Sequence, residues 1–247
     1  MKMRACVVTL AIGDKYLNQY NKLFRPSNEF YAAKHGYDFK VITQYLDPNL
    51  ADLNSVTIHK YLLCSQEWSS QYDYLIVIDA DILINKNSPP VPFELLGDKV
   101  GMVDEACQPS LEKRVAIQRT HGWELYPTDY MALCGYALDT PHIYNSGFMV
   151  LQPSKHRTFL ENMYATYGKG SLGHPRKTHY EQTTTNYCFQ TANMVYPLPH
   201  VFNTPWFLYK ADDPTLVIDK FFESNCFVHF VASVDYQHVQ RLWNNNV

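Results

Sequence analysis

Residues 5–10 (Ala5, Cys6, Val7, Val8, Thr9, Leu10) form a compact apolar, β-branched run, the signature of a strand buried in a core. Apolar positions then switch to helical spacing over residues 15–35, at Tyr16, Tyr20, Leu23, Phe24, Phe30 and Tyr31. Pro26 marks a break within that stretch, and Gly36 suits a helix C-cap because only glycine enters the left-handed region at no steric cost. A second strand is expected over 37–43 and a helix over 55–70. Residues 74–78 (Tyr74, Leu75, Ile76, Val77, Ile78) are the most strand-like of the chain. Farther on, 107–141 lacks clear periodicity and reads as loop and short helix. A strand at 145–152, a helix at 155–167, a flexible loop at 168–173 and a helix at 180–191 follow.

This strand–helix–strand–helix–strand rhythm predicts an α/β protein with a Rossmann-like, mostly parallel central sheet flanked by helices. The 247 residues show no internal repeat and no linker-like shift of composition, so a single domain over 1–247 is expected. Open α/β sheets bind ligands outside the carboxyl ends of their strands. The residues just after Leu10 and just after Ile78 are therefore the first places to look.

Composition narrows the field. A net charge of −3, with Lys and Arg thinly spread, lacks the basic footprint of a nucleic-acid binder. Nineteen Tyr, 13 Phe and 4 Trp supply flat faces with polar handles, which suit sugars and bases as well as an aromatic core. The six cysteines (6, 64, 107, 134, 188 and 226) form no C-x-x-C pair and read as reduced, mostly buried side chains. The opening apolar run meets Gly13 and Asp14 without a cleavage site, so it reads as a first strand and not a signal peptide. No apolar run is long enough to span a membrane, and a cytoplasmic location is expected.

The chemistry concentrates at Asp79, Ala80 and Asp81, which follow the strand at 74–78. Two carboxylates beside a buried strand are costly unless something compensates them. A hard divalent cation such as Mn²⁺ or Mg²⁺ would do so, and a diphosphate could complete its coordination. Strand-capping aspartates are the competing account of any D-x-D tripeptide. Its position at the end of a five-residue apolar strand in an α/β pattern favours the cation.

With Asp79, Ala80 and Asp81 in that place, the chain resembles glycosyltransferases of the GT-A fold, and more specifically glycosyltransferase family 8, the glycogenin, galactinol synthase and bacterial galactosyltransferase group. Val7 to Ala11 with Asp14, Lys15 and Tyr16 are similar to the family's opening strand and nucleotide loop. Tyr144 to Ser154 resembles its N-[AS]-G strand, and Glu181, Gln182 and Asn186 its D/E-Q-x-x-x-N helix. Leu198 to Asn203 resembles its L-P-x-x-Y-N turn, and Val228, His229 and Phe230 its closing H-F/Y segment. The resemblance implies a metal-dependent hexosyltransferase using a nucleotide sugar, a UDP-hexose by preference, and a carbohydrate acceptor. It implies that Thr9, Leu10, Ala11 and Tyr16 hold base and ribose. Asp79, Asp81 and His229 would be the metal ligands, with Ala80 beside the donor. Asn145, Gly147, Glu181 and Gln182 would surround the donor sugar, where Gly147 allows close backbone approach. A nucleotide-binding half at 1–105 and a sugar-binding half at 106–247 follow from the same likeness. Lys60, in the helix before the D-x-D strand, could approach a phosphate or remain a solvated surface lysine.

One segment departs from the family pattern. A K-P-W tripeptide usually follows the closing histidine, its lysine contacting the diphosphate; residues 229–238 contain neither lysine nor proline. Arg241 and His238 are the nearest replacements, and a guanidinium suits bidentate phosphate contact. Retention of anomeric configuration is implied, with an inverting enzyme as the alternative; Asp104, Asp139 or Glu181 would then be the base. A nucleotidyltransferase is disfavoured because residues 9–14 carry one glycine and no arginine. A non-catalytic sugar-binding relative remains open on the missing tripeptide. Oligomeric state is not encoded in any pattern found.

Overall fold

The computed structural model describes residues 3–120, 126–172, 177–231 and 235–245. Strand β1 (Ala5–Leu10) leads into α1 (Asp14–Leu23) and α2 (Arg25–His35), which are separated at Phe24 with Pro26 in the first turn of α2. Gly36 closes α2 at φ 71°, as its position suggested. Next come β2 (Asp38–Ile42), a helical stretch, and β3 (Tyr74–Ile78). The stretch at Leu53–Ser65 is wound as a 3₁₀ helix and is followed by a second 3₁₀ segment, Glu67–Gln71. The short β4 (Ile82–Ile84) then precedes β5 (Val100–Asp104), α3 (Leu111–Thr120), α4 (Pro127–Ala132) and β6 (Tyr144–Leu151). After these come α5 (Pro153–Tyr167), α6 (Lys177–Thr191), β7 (Val195–Leu198) and β8 (Thr204–Pro205). The chain ends with α7 (Trp206–Asp212), α8 (Ile218–Ser224), β9 (Phe227–His229) and α9 (Tyr236–Asn245). The expected flexible loop at 168–173 is a 3₁₀ turn over Gly168–Ser171, and Gly173 lies outside the described residues.

Six strands form the main sheet in the order β2-β1-β3-β6-β5-β7. Every pairing that avoids β6 is parallel, and β6 runs antiparallel to both β3 and β5. Helices bury both faces, which is why the strands read as near-continuous apolar runs. On one face Cys6, Val8, Leu75, Val77 and Met149 pack against Ile58, Tyr61, Leu160 and Phe189. On the other, Ala5, Val7, Ile76, Ile78 and Val150 meet Tyr31, Phe93, Phe202 and Phe227.

A second sheet, β4-β9-β8, sits where the carboxyl end of β3 turns away. Its register sets Ile82 opposite His229 and pairs Pro205 with His229. Three segments far apart in sequence are thereby drawn together: the D-x-D turn before β4, His229 at the end of β9, and Asn203 just before β8. Among the described residues, no helix is long and apolar enough to cross a membrane.

Candidate active site

Strand β3 ends at Ile78, and the two carboxylates emerge from the turn that follows. The Asp79 amide donates to the Gly147 carbonyl of β6 at 2.8 Å, and the Phe230 amide donates to the Asp81 carbonyl at 2.9 Å. Each aspartate is thus tied by its backbone to a different partner strand. Strand β6 slips its register against β5 between Met102 and Val103, so that Met102 faces Met149 while Val103 faces Asn145. Ser146 and Gly147 fall in this bulge, a device that re-aims side chains beside a site.

The side-chain oxygens of Asp79 and Asp81 and a ring nitrogen of His229 all lie within 4.8 Å of one another. His229 is 4% exposed, its Nε2 standing 3.1 Å from Asp81 Oδ1, and its Nδ1–H donates to Asn203 Oδ1 at 3.0 Å. Burial alone would hold the imidazole down, but the carboxylates of Asp81 and Asp79 outweigh it and raise its pKa above the usual histidine value. Lys60 is 2% exposed, not a solvated surface residue. Its Nζ pairs with Asp79 Oδ1 at 2.7 Å, donates to the Ser146 carbonyl at 3.0 Å and lies 3.9 Å from Glu181 Oε2. Burial pulls the ammonium pKa down, yet the flanking carboxylates carry it above its ordinary value, so Lys60 stays charged.

The arrangement fits a divalent cation. Two hard carboxylates and one imidazole are a donor set suited to Mn²⁺. The space between them is kept by Gly147: a Cβ there would lie 2.5 Å from His229 Cε1, 2.8 Å from Asn145 Oδ1 and 3.0 Å from Asp79 Oδ2. Only a residue without a side chain leaves that cradle open.

Beside the cradle lies a cleft of about 260 Å³. Leu10, Tyr16, Tyr20, Phe24 and Tyr236 form its apolar walls, and Lys60, Asp79, Ala80 and Asp81 line its polar end. The structure therefore brings Leu10, Tyr16, Lys60, Ala80 and the two aspartates to one opening at the carboxyl ends of β1 and β3. Thr9 and Ala11 are buried and do not line it. Asn145, Glu181 and Gln182 gather on the far side of the cradle. Glu181, 4% exposed, accepts from Ser146 Oγ at 2.8 Å and from Thr185 Oγ1 at 2.9 Å, and burial pushes its pKa up. Asn145 Oδ1 accepts from the Gly147 amide at 2.8 Å.

Arg241 does not join them. Its guanidinium is clamped on Asp219, with Nη2 at 2.9 Å from Oδ2, on an exposed stretch of α9. The side chain of α9 that does reach the cleft is Tyr236, one helical turn earlier, whose hydroxyl donates to Asp81 Oδ2 at 3.4 Å. Residues 232–234 of the departing segment lie outside the described residues.

Sequence reasoning also missed Glu105. It is 7% exposed and holds Arg114 Nη2 at 2.9 Å, Gln182 Nε2 at 3.1 Å and Asn145 Nδ2 at 2.6 Å. An available signal was its place next to Asp104 at the carboxyl end of β5, the same kind of position as the D-x-D turn. Asn203 was visible within a motif but carried no assigned role.

Two predictions follow from this geometry. Gly147→Ala should lower stability by about 1–3 kcal/mol through overpacking. It should also weaken Mn²⁺ binding at least about tenfold, because the methyl group enters the cradle; unaltered affinity by electron paramagnetic titration would contradict the assignment. A protonated imidazole cannot ligate, so cation uptake must release the Nε2 proton of His229. Because that group's pKa is raised above the usual histidine value of about 6.5, Mn²⁺ affinity should fall as pH is lowered from neutrality to about 6, approaching tenfold per unit at the lower end. A flat profile over that range would show that His229 is not a ligand.

No protein-family model and no curated protein matches the chain. Solved structures do. A glycosyltransferase involved in glycosylation of the major capsid of PBCV-1 aligns with a TM-score of 0.61 at 13% identity, over 98% of this chain and 99% of that one. The galactosyltransferase LgtC, in complex with donor and acceptor sugar analogs, aligns with a TM-score of 0.56 at 14% identity, over 98% and 100%. An active-site mutant of LgtC gives 0.58 at 13% identity, over 97% and 95%. At these identities the likeness concerns architecture: the chain has the GT-A fold of these glycosyltransferases from end to end.

Proposed function

We propose that the protein is a metal-dependent glycosyltransferase that moves a hexose from a UDP-sugar to a hydroxyl of a carbohydrate acceptor. One observation carries the reading: Asp79, Asp81 and His229 converge within 4.8 Å at the polar end of a cleft walled by tyrosine and phenylalanine. The aromatic end suits a nucleobase and ribose, with Leu10 and Tyr16 along it and the buried Thr9 and Ala11 beneath them. A Mn²⁺ or Mg²⁺ ion held by Asp79, Asp81 and His229 would neutralise charge on the departing diphosphate. Lys60 aims Asp79, and the Tyr236 hydroxyl does the same for Asp81. The bulged backbone at Gly147, with Asn145, Glu181 and Gln182, would hold the hexose. The LgtC complex with donor and acceptor sugar analogs is consistent with both ligands meeting on this fold.

The reaction breaks the anomeric C–O bond, and its electron pair leaves on the diphosphate. The acceptor oxygen forms the new bond and gives its proton to the departing phosphate oxygen. Retention is favoured because Asp104 and Glu181 are occupied and Asp139 lines neither cleft nor cradle. Asp104 accepts from the amides of Ala106 and Ile143 and from His142 at 2.6 Å. Glu181 is saturated by Ser146, Thr185 and Lys60, and Asp139 sits on an exposed loop. Six free cysteines fit a reducing, cytoplasmic setting.

Calorimetric titration with UDP tests the reading. Micromolar binding in Mn²⁺ should weaken more than about tenfold in excess chelator and in Asp81→Ala. Binding that ignores both, or none at all, would withdraw the assignment.

A further inference from the structure

A chain of side-chain hydrogen bonds runs from the buried end of α3 to the cation cradle, and each link has only one possible direction. Glu105, paired with Arg114, is an acceptor. Asn145 must therefore turn its amide nitrogen to it, at 2.6 Å from Oε2. The other end of Asn145 is fixed independently, because the Gly147 amide can only donate and lies 2.8 Å from Oδ1. That same oxygen is also 2.8 Å from Asn203 Nδ2. With its nitrogen thus committed, Asn203 offers only its oxygen to His229, 3.0 Å from Nδ1. An amide oxygen accepts, so Nδ1 must carry the hydrogen, and the lone pair of Nε2 is presented to the cradle when a cation is bound.

We infer that Glu105, Asn145 and Asn203 form a polarity relay that fixes the ring orientation and tautomer of His229 for cation binding. Glu105 and Asn203 contribute no ligand atom to the cradle and act through other side chains; they are positioning residues. The inference rests on the metal-dependent reading of the site. The three relay residues and His229 come from four separate elements: the loop after β5, strand β6, the turn before β8, and β9. All are at most 7% exposed, so water cannot substitute for a missing partner. Glu105 also receives Gln182 Nε2, so one carboxylate orients an amide on the sugar side and the imidazole on the cation side.

The test uses Mn²⁺ alone as probe, followed by electron paramagnetic titration of the full chain. Glu105→Gln can offer an amide N–H where the carboxylate only accepts, which sets a donor against Asn145 Nδ2 and leaves only the Gly147 amide to hold Asn145 in its orientation. Its Mn²⁺ affinity should fall about 10- to 100-fold, the usual effect of losing a group that orients a ligand. Adding Asn203→Asp to that variant supplies His229 with a partner that only accepts, and affinity should return to within about threefold of wild type. Asn203→Leu, made singly, repeats the comparison should Glu105→Gln not fold: it should lose Mn²⁺ affinity by a similar factor. Wild-type affinity in folded Glu105→Gln or in Asn203→Leu would overturn the relay, as would a double variant no better than the single one. A wild type that binds no Mn²⁺ would instead overturn the cation site itself, which separates the two failures.

Discussion

Two carboxylates stand at the end of a strand buried on both faces, and keeping them charged there constrains everything around them. Asp79 is satisfied by Lys60, a lysine almost fully removed from water. Asp81 is satisfied by His229 and the hydroxyl of Tyr236. Removing either cation partner would leave a partly buried charge uncompensated, a loss below the roughly 3–5 kcal/mol of a fully buried pair because both aspartates are partly open. The compensation is incomplete on the cleft side, where both aspartates remain partly open. That opening is what distinguishes a cation site from a closed ion-pair network.

The fold supplies the rest by register. Antiparallel pairing of β4 with β9 sets His229 across from Ile82, next to Asp81, and parallel pairing of β8 with β9 brings Asn203 behind the ring. The slip between β5 and β6 gives the Asn145–Gly147 backbone the slack to face both the cradle and Glu105. Gly147 is the tightest point, because no Cβ fits among His229, Asn145 and Asp79. Burial of Phe227 and Val228 in β9 couples these placements to the core, so cradle geometry and hydrophobic packing are not separable.

Local signals made much of this legible in the sequence. The apolar runs of β1 and β3, the break at Pro26, the left-handed Gly36 and the long helices α5 and α6 follow from periodicity and turn chemistry. The D-x-D turn stood out because charge ends an apolar strand. Strands β5 and β7 escaped notice: the first is five residues long and contains Gly101, and the second is a partly exposed edge strand interrupted by Pro197. Arg241 was chosen by residue type and nearness in sequence, yet α9 turns it toward Asp219 and presents Tyr236 to the cleft instead. Lys60 and Glu105 illustrate the same limit. Whether a charged residue is solvated or buried depends on which element packs over it, and that is a tertiary fact without a local pattern.

The central claim is that Asp79, Asp81 and His229 form one cation site shared with a nucleotide diphosphate. Anomalous diffraction from crystals grown with Mn²⁺ and UDP tests it most directly. The account predicts a single manganese peak in the cradle, in contact with His229 Nε2 and the aspartates, with the uracil end of the nucleotide between Tyr16 and Tyr236. A peak elsewhere, or nucleotide density without manganese in the cradle, would contradict it.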